Sequence, residues 1–209
     1  MPNIEFREFA DSDFDALVPI VGQAWHQAPD PEDVRLAGAF DLATCLQRTT
    51  YTQVVLVDGA AAGLMFARAG EADPATDERW AAMQQHALQQ LQQHNPQPGA
   101  DLAAYARTEH RIDTDLLQAS GCDPANEYTL FLLAPEARGL GLGRTLFENA
   151  RAWLAAQGAR QAYLFTDESC TWGIYEHFGL RRAAEYRPTP EEARLMLPAY
   201  YLYVDDLGH

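Results

Sequence analysis

A strand that runs through a glycine-rich turn straight into an amphipathic helix constrains this chain more than any other feature. Residues 127–133 are an apolar strand pattern, and Arg138-Gly139-Leu140-Gly141-Leu142-Gly143 follows. Leu142, Leu146, Ala150, Trp153 and Leu154 then recur at helical spacing, up to a stop near Gly158. Such a joint is an anion site by construction. The first N–H groups of a helix have no intrahelical partners. The aligned peptide dipoles make the same end positive. Glycines let the backbone approach a diphosphate closely. Arg138 and Arg144 flank the turn and can add charge.

The spacing excludes the common nucleotide motifs. Gly139-x-Gly141-x-Gly143 is not the GxGxxG of a dinucleotide fold, and the GK[ST] of a P-loop is missing. All 15 basic residues are arginine, so no Schiff base on a side-chain amine and no P-loop lysine can form. Phosphate must be held by arginine and backbone N–H groups. The net charge of −15 argues against nucleic acid as a partner, because phosphate backbones need a basic face. An acidic field steers cations and suits an amine acceptor; it also simply keeps a protein soluble.

Cys45, Cys122 and Cys170 are scattered without CxxC spacing, so neither a zinc site nor a disulfide framework is expected, and no metal is called for. A reducing cytoplasm is the simplest location. No apolar run approaches the ~20 residues of a membrane span. Met1-Pro2-Asn3-Ile4-Glu5 lacks the basic-then-apolar order of a leader.

The rest of the chain reads as alternating elements. Residues 4–9 alternate as a strand, and Ser12 is placed to N-cap a helix carrying Phe14, Leu17, Val18 and Val21 to about Trp25. Pro29-Asp30-Pro31-Glu32 breaks it, and a second helix covers about 34–45. Residues 53–57 and 61–68 form a hairpin about Asp58-Gly59. Residues 74–118 are helical and glutamine-rich. Trp80, Met83, Leu88 and Leu91 mark the apolar face there, Gln84, Gln85, Gln89, Gln92 and Gln93 the wet one. Asn95-Pro96-Gln97-Pro98-Gly99 reads as a linker, and a further helix over 101–119 stops at Gly121. After the glycine loop come a strand at 162–166, a short helix over 170–178, and strands at 180–186 and 199–204. This order predicts a mixed sheet covered by helices.

Arg138-x-x-Gly141-x-Gly143, with Pro135 after the strand, resembles the acyl-CoA pyrophosphate motif of the GNAT N-acyltransferase family. Tyr175-Glu176-His177-Phe178-Gly179-Leu180 resembles that family's Tyr-Glu-x-x-Gly-Phe segment, with Leu180 replacing phenylalanine. Many relatives carry asparagine and alanine seven and four residues before the tyrosine; Glu168 and Thr171 stand here instead. The resemblance implies an α/β (α+β) fold: a mixed, mostly antiparallel sheet with helices on both faces. A helical insert over 70–126 then separates the third and fourth strands of one domain, 1–209.

The implied activity is transfer of acetyl from acetyl-CoA, a cosubstrate, to a primary amine by direct attack. Arg138, Gly139, Leu140, Gly141, Leu142, Gly143, Arg144 and Thr145 would hold the cofactor's phosphates. Free N–H groups near Leu132 and Leu133 would hold the acyl and pantetheine carbonyls, on a strand splayed from its neighbour. Tyr175 would protonate the leaving thiolate; packing in the core is its bland alternative. Glu127 is the candidate base, or else a solvent-facing strand end; Asp167 and Glu168 are weaker candidates. Cys170 lacks a paired histidine, and His177 reads as a surface residue. Asp73, Asp77, Glu78, Glu109, Asp113 and Asp115 make the insert acidic. They suit a cationic acceptor, or are the solvated sides of its helices. The insert could also form a pocket wall, a lid or a homodimer contact. The alternative function is a CoA-binding regulatory domain without chemistry.

Overall fold

A computed structural model describes residues 2–208. The strands are β1 (Ile4–Arg7), β2 (Tyr51–Val57), β3 (Ala60–Ala69), β4 (Asn126–Leu133), β5 (Gln161–Asp167), β6 (Arg181–Tyr186) and β7 (Tyr200–Asp206). The helices are α1 (Phe14–Trp25), α2 (Pro31–Gln47), α3 (Pro74–His94), α4 (Pro96–Ser120), α5 (Leu142–Ala156) and α6 (Gly173–His177). The strands form one seven-stranded sheet in the order β1-β2-β3-β4-β5-β7-β6. Every neighbouring pair is antiparallel except β4 and β5. The mixed, mostly antiparallel sheet expected from the sequence is therefore present, and α3 and α4 lie between β3 and β4.

Alternation along the strands sorts the core into two faces. Val54, Leu64 and Phe66 pack under α1, α2 and α3. Val55, Met65 and Ala67 pack under α5 with Leu146, Phe147 and Leu154. Tyr163, Leu202 and Val204 meet Ile112 and Leu116 of α4, which extends the helical layer across β5 and β7. The helices α1 and α2 cross in near contact. A Cβ on Gly38 would lie 2.8 Å from Gly22 Cα and 2.7 Å from Val18 O. On the other face Arg151 Nε donates to Asp205 at 2.8 Å and Tyr128 OH donates to it at 2.7 Å, tying α5 to β7 and β4.

Four local expectations change. Ser12 does not cap α1: residues Asp11–Asp13 form a 3-10 turn, and Asp13 accepts from the Ala10 N–H at 2.7 Å and from both Arg7 NH groups. Asn95 alone separates α3 from α4, because Pro96 and Pro98 sit in the first turn, where their missing N–H costs nothing. Met83 is 39 % exposed, whereas Ala87 is buried and Gln84 donates to Thr44 at 2.7 Å. The buried stripe of α3 is rotated accordingly. Trp153 is only partly buried, and Phe147 takes the buried place on α5. The Asp58-Gly59 turn forms as read, with φ of 52° and 83°, and Gly121 ends α4 at φ 66°.

Candidate active site

The strand β4 carries an extra residue. Its register with β3 slips between Phe66 and Ala67, so that Phe66 faces Leu130 while Ala67 faces Tyr128, and Thr129 bulges between them. A bulge shifts side-chain parity and bends its strand. Tyr128 accordingly packs under α5 and Leu130 under α2. The Thr129 hydroxyl is fixed to Thr49 Oγ1 at 2.7 Å, and Thr49 donates on to Cys45 O. Past the bulge β4 follows β3 and abandons β5: Glu127 opposite Tyr163 is their paired position among the described residues. A wedge opens between the two parallel strands.

The backbone lining that wedge is determined by the β3 ladder. Ala134 N–H bonds Ala62 O at 2.9 Å. Strand alternation then turns Leu132 toward β3, and Phe131 and Leu133 into the gap. The expectation placed free N–H groups at Leu132 and Leu133; the pair aimed at β5 is Phe131 and Leu133.

The glycine loop closes the wide end of the wedge. Gly139 and Gly141 have φ of 80° and 77°, left-handed values that side-chain-bearing residues rarely adopt. No atom lies within 4 Å of a Cβ built on either, so the glycines serve the turn and leave its outer side open. Gly143 serves contact: its Cβ would meet Leu133 Cδ1 at 3.0 Å, which seats the first turn of α5 against β4. Gly141 caps α5 without a side chain, leaving the opening N–H groups of Leu142, Gly143 and Arg144 uncapped. Thr145 begins the helical bonding, its N–H on Gly141 O at 3.3 Å and its Oγ1 on the same oxygen at 3.4 Å. Leu140 is exposed, and Arg138 lies at the mouth of the cleft. Arg144 pairs with Glu148 at 3.3 Å and lies over the Phe178 ring.

Tyr175 comes from α6 into the same cleft, its ring 5.7 Å from that of Tyr203. Burial raises its phenol well above the ordinary range, and the neighbouring Cys170 and Asp167 add to the rise. The Cys170 thiol points at Asp167 Oδ2 at 3.6 Å, and burial pushes it up too, which suits no thiolate nucleophile. His177 is exposed. Glu168 accepts from the Tyr201 hydroxyl.

Glu127 is neither in solvent nor free. It is 3 % exposed, with Arg48 Nε donating to Oε1 at 3.0 Å, Arg68 NH2 to Oε2 at 3.1 Å, and the Tyr163 hydroxyl to Oε2 at 3.3 Å. Both oxygens are engaged by guanidinium groups, and a base needs one of them for the incoming proton.

One cavity of about 1620 Å³ runs from Arg138 and Leu133 past Tyr175 and Cys170 to the helical layer of α1, α2 and α4. The insert acids divide there. Asp73, Glu78 and Asp115 are exposed and do not line the cavity, Asp77 lines it while staying exposed, and Glu109 and Asp113 turn inward and line it with Asp41 and Asp167. Periodicity could not separate these two from the rest, because a helix face on a polar cavity reads like one on water. Elsewhere, Asp30, Asp33 and His94 bring ligand-type atoms within 4.8 Å of one another, and His94 Nε2 bonds Asp30 at 2.8 Å, tying the start of α2 to the end of α3. Among the described residues no helix is long and apolar enough to cross a membrane.

No family model matches the sequence, and no curated protein matches it in sequence. Solved structures do match the fold. The ribosomal-protein-S18-alanine N-acetyltransferase from Escherichia coli aligns over 99% of this chain and 96% of its own, with 14% identity and a TM-score of 0.54. An N-acetyltransferase from Staphylococcus aureus Mu50 aligns over 98% and 99%, with 15% identity and a TM-score of 0.52. An acetyltransferase of the GNAT family from Streptococcus pneumoniae aligns over 98% and 99%, with 13% identity and a TM-score of 0.52. The chain has the fold of the GNAT N-acetyltransferases.

Proposed function

We propose that this protein is an acyl-CoA-dependent N-acetyltransferase that moves acetyl from acetyl-CoA to a primary amine by direct attack. The observation that carries the proposal is the wedge. The bulge at Thr129 parts β4 from β5, and β4 then leads through the glycine loop to the uncapped N-terminus of α5, so backbone donors and an anion-binding turn line one groove. The diphosphate would rest on the N–H groups of residues 139–145, with Arg138 and Arg144 beside it. The pantetheine arm would run along β4 as a strand-like partner, bonding the N–H groups of Phe131 and Leu133. One of these would stabilise the oxyanion of the tetrahedral adduct.

In this reading Tyr175 is the residue beside which the thiolate would depart. Its raised phenol keeps its proton throughout the neutral range and can give it to sulfur as the carbon–sulfur bond breaks. The sequence offers Glu127 as the base. Its pairing with Arg48 and Arg68 favours a structural duty at the narrow end of the wedge and leaves proton removal to another carboxylate of the cavity. The test is thiol release from acetyl-CoA across a panel of primary amines, compared with Tyr175→Phe. Amine-dependent thiol release that falls in the variant supports the reading. Release that ignores both the amine and the variant overturns it.

A further inference from the structure

The cavity continues beyond the position of the thioester, and its chemistry changes there. On the side of the helical layer it is walled by Asp41 of α2, Glu109 and Asp113 of α4, and Asp167 at the end of β5, with Phe40 and Leu102 among them. The nearby cations balance these acids only in part: Arg48 and Arg68 are bonded to Glu127, His26 is bonded to Asp41, and Arg138 sits at the opposite mouth. An enclosed group of carboxylates favours a cationic guest.

Glu109 is held in place by a relay. The Leu197 N–H donates to Tyr200 OH at 3.0 Å, Tyr200 donates to Tyr105 OH at 3.1 Å, and Tyr105 donates to Glu109 Oε1 at 3.1 Å. Burial pushes the Glu109 carboxyl up to about 7; Asp41 and Asp167 add to the rise, against Tyr105 and Arg48. Burial raises Asp113 as well, with Glu109 contributing. The charged and titratable groups lining the cavity from the elements around Glu109 include His26 beyond α1, Asp41, Cys45 and Arg48 of α2, Arg68 of β3, Asp77 of α3, Asp101, Tyr105, His110 and Asp113 of α4, Glu127 of β4, Tyr163 and Asp167 of β5 and Tyr200 of β7. His26 is itself bonded to Asp41 at 2.5 Å.

A second observation points to a ligand. Thr166 is 8 % exposed and lines the same cavity beside the Tyr175 hydroxyl and the Cys170 thiol, with no hydrogen bond of regular geometry to either. A buried hydroxyl is ordinarily bonded, so a guest at the junction of the two halves would complete its bonding. Asp167 joins the two halves, because its charge acts on Tyr175 on the donor side and on Glu109 on the far side.

We propose that this chamber is the acceptor pocket for a compact aliphatic di- or polyamine, with Glu109 as the base and Asp113 and Asp41 holding a second ammonium. The proposal rests on the acetyltransferase reading. Glu109 takes one proton from the reacting ammonium, and the freed lone pair forms the carbon–nitrogen bond to the thioester carbon. As the adduct collapses the carbon–sulfur bond breaks, the thiolate takes the Tyr175 proton, and the proton shed by the new amide nitrogen restores the phenol. The proton on Glu109 leaves to water, so acetyl-CoA and ammonium become amide, CoA thiol and one proton. A single ammonium at Glu109 would leave Asp113 without a bonded cation, whereas Asp41 already has His26, which is why the guest carries a second charge.

The experiment measures thiol release from acetyl-CoA with spermidine, butane-1,4-diamine, butylamine and an alanine-initial peptide, alongside calorimetric titration of acetyl-CoA and of spermidine. Expected are kcat/KM values for both polyamines at least about tenfold above butylamine and the peptide. Glu109→Gln should lower kcat with spermidine roughly 100-fold and abolish its rise through neutral pH, with acetyl-CoA affinity intact. Asp113→Asn should raise KM for spermidine but not for butylamine. Equal rates for butylamine or the peptide, or a Glu109→Gln enzyme with unchanged kcat and pH profile, overturn the pocket assignment while acetyl-CoA still binds. Absence of acetyl-CoA binding instead overturns the underlying acetyltransferase reading. The pocket is then judged by spermidine binding, which should saturate and be lost in the Glu109→Gln Asp113→Asn double variant; no spermidine heat overturns it.

Discussion

Arg48, at the C-terminal cap of α2, donates through Nε to Glu127 at 3.0 Å and so bonds the helical layer to the strand that opens the wedge. The contact spans 79 residues of sequence, and Arg68 completes the clamp from β3. Glu127→Gln therefore tests two accounts at once. As a structural clamp, its loss costs about 2–3 kcal/mol, below the full cost of breaking a buried pair because Arg48 is 39 % exposed. That is a fall in Tm of roughly 2–4 °C per kcal/mol for a chain of this size. The acetyl-CoA affinity should move little. A kcat loss of about 100-fold at unchanged Tm would instead return the base role to Glu127.

The glycine loop should respond to charge and to backbone conformation in different ways. Arg138→Ala removes one charge-assisted contact and should weaken acetyl-CoA binding by about 1.5–3 kcal/mol, with a reduced salt dependence. Gly141→Ala forces a side chain into a left-handed residue at about 1–2 kcal/mol. Since nothing occupies the space around its Cβ, that loss belongs to the turn and not to a clash. Calorimetry with acetyl-CoA, paired with thermal melts, separates the two.

Tyr175→Phe keeps the ring contact with Tyr203 and removes the proton donor. Expected is a kcat reduced on the order of 100-fold with little change in KM for acetyl-CoA. Because burial raises the phenol, the wild-type rate should show no loss attributable to Tyr175 as pH approaches 10, the ordinary tyrosine value. An alkaline fall near that value, absent in Tyr175→Phe, would contradict this.

The raised Glu109 carboxyl sets both an activity and a stability profile. Only the ionised form accepts a proton, so kcat/KM should climb through about pH 7. For stability the direction is opposite. The folded state binds the Glu109 proton more tightly than the unfolded chain, whose value is near 4.5. That contribution is fully present below 4.5 and is lost as pH rises through about 7. Glu109→Gln should flatten the stability curve across this window, measured by urea unfolding at several pH values.

Gly38→Leu probes the helical wall of the cavity. Even a Cβ there would sit 2.7 Å from Val18 O, so α1 and α2 would have to separate. Overpacking of this kind costs about 1–3 kcal/mol or more, and the variant should lose amine turnover before acetyl-CoA binding, since only the far side of the cavity borders α1 and α2.

Much of this was legible in the sequence where physics is local. The Asp58-Gly59 hairpin, the stop at Gly121, the glycine loop and the helix after it depend on backbone conformations that their own residues dictate. Features set by distant partners were not. The Thr129 bulge exists because β3 pairs with β4 on both sides of it and Thr49 holds its hydroxyl, and a run of strand-forming residues gives no sign of the extra one. The bulge also transfers the groove-facing backbone from Leu132 to Phe131. Glu127 read as a strand end because both its arginine partners come from other elements. Glu109 and Asp113 were visible as acids, but their facing a cavity depends on how α4 lies against α3, β6 and β7. Pro96 and Pro98 read as linker because proline opens helices as readily as it ends them.

The most direct test of the central claim is calorimetric titration of the protein with acetyl-CoA, repeated with ATP and with the Arg138→Ala variant. The account predicts saturable one-to-one binding of acetyl-CoA, weaker in the variant, and none comparable for ATP. No heat with acetyl-CoA, or ATP binding as tightly, would contradict it.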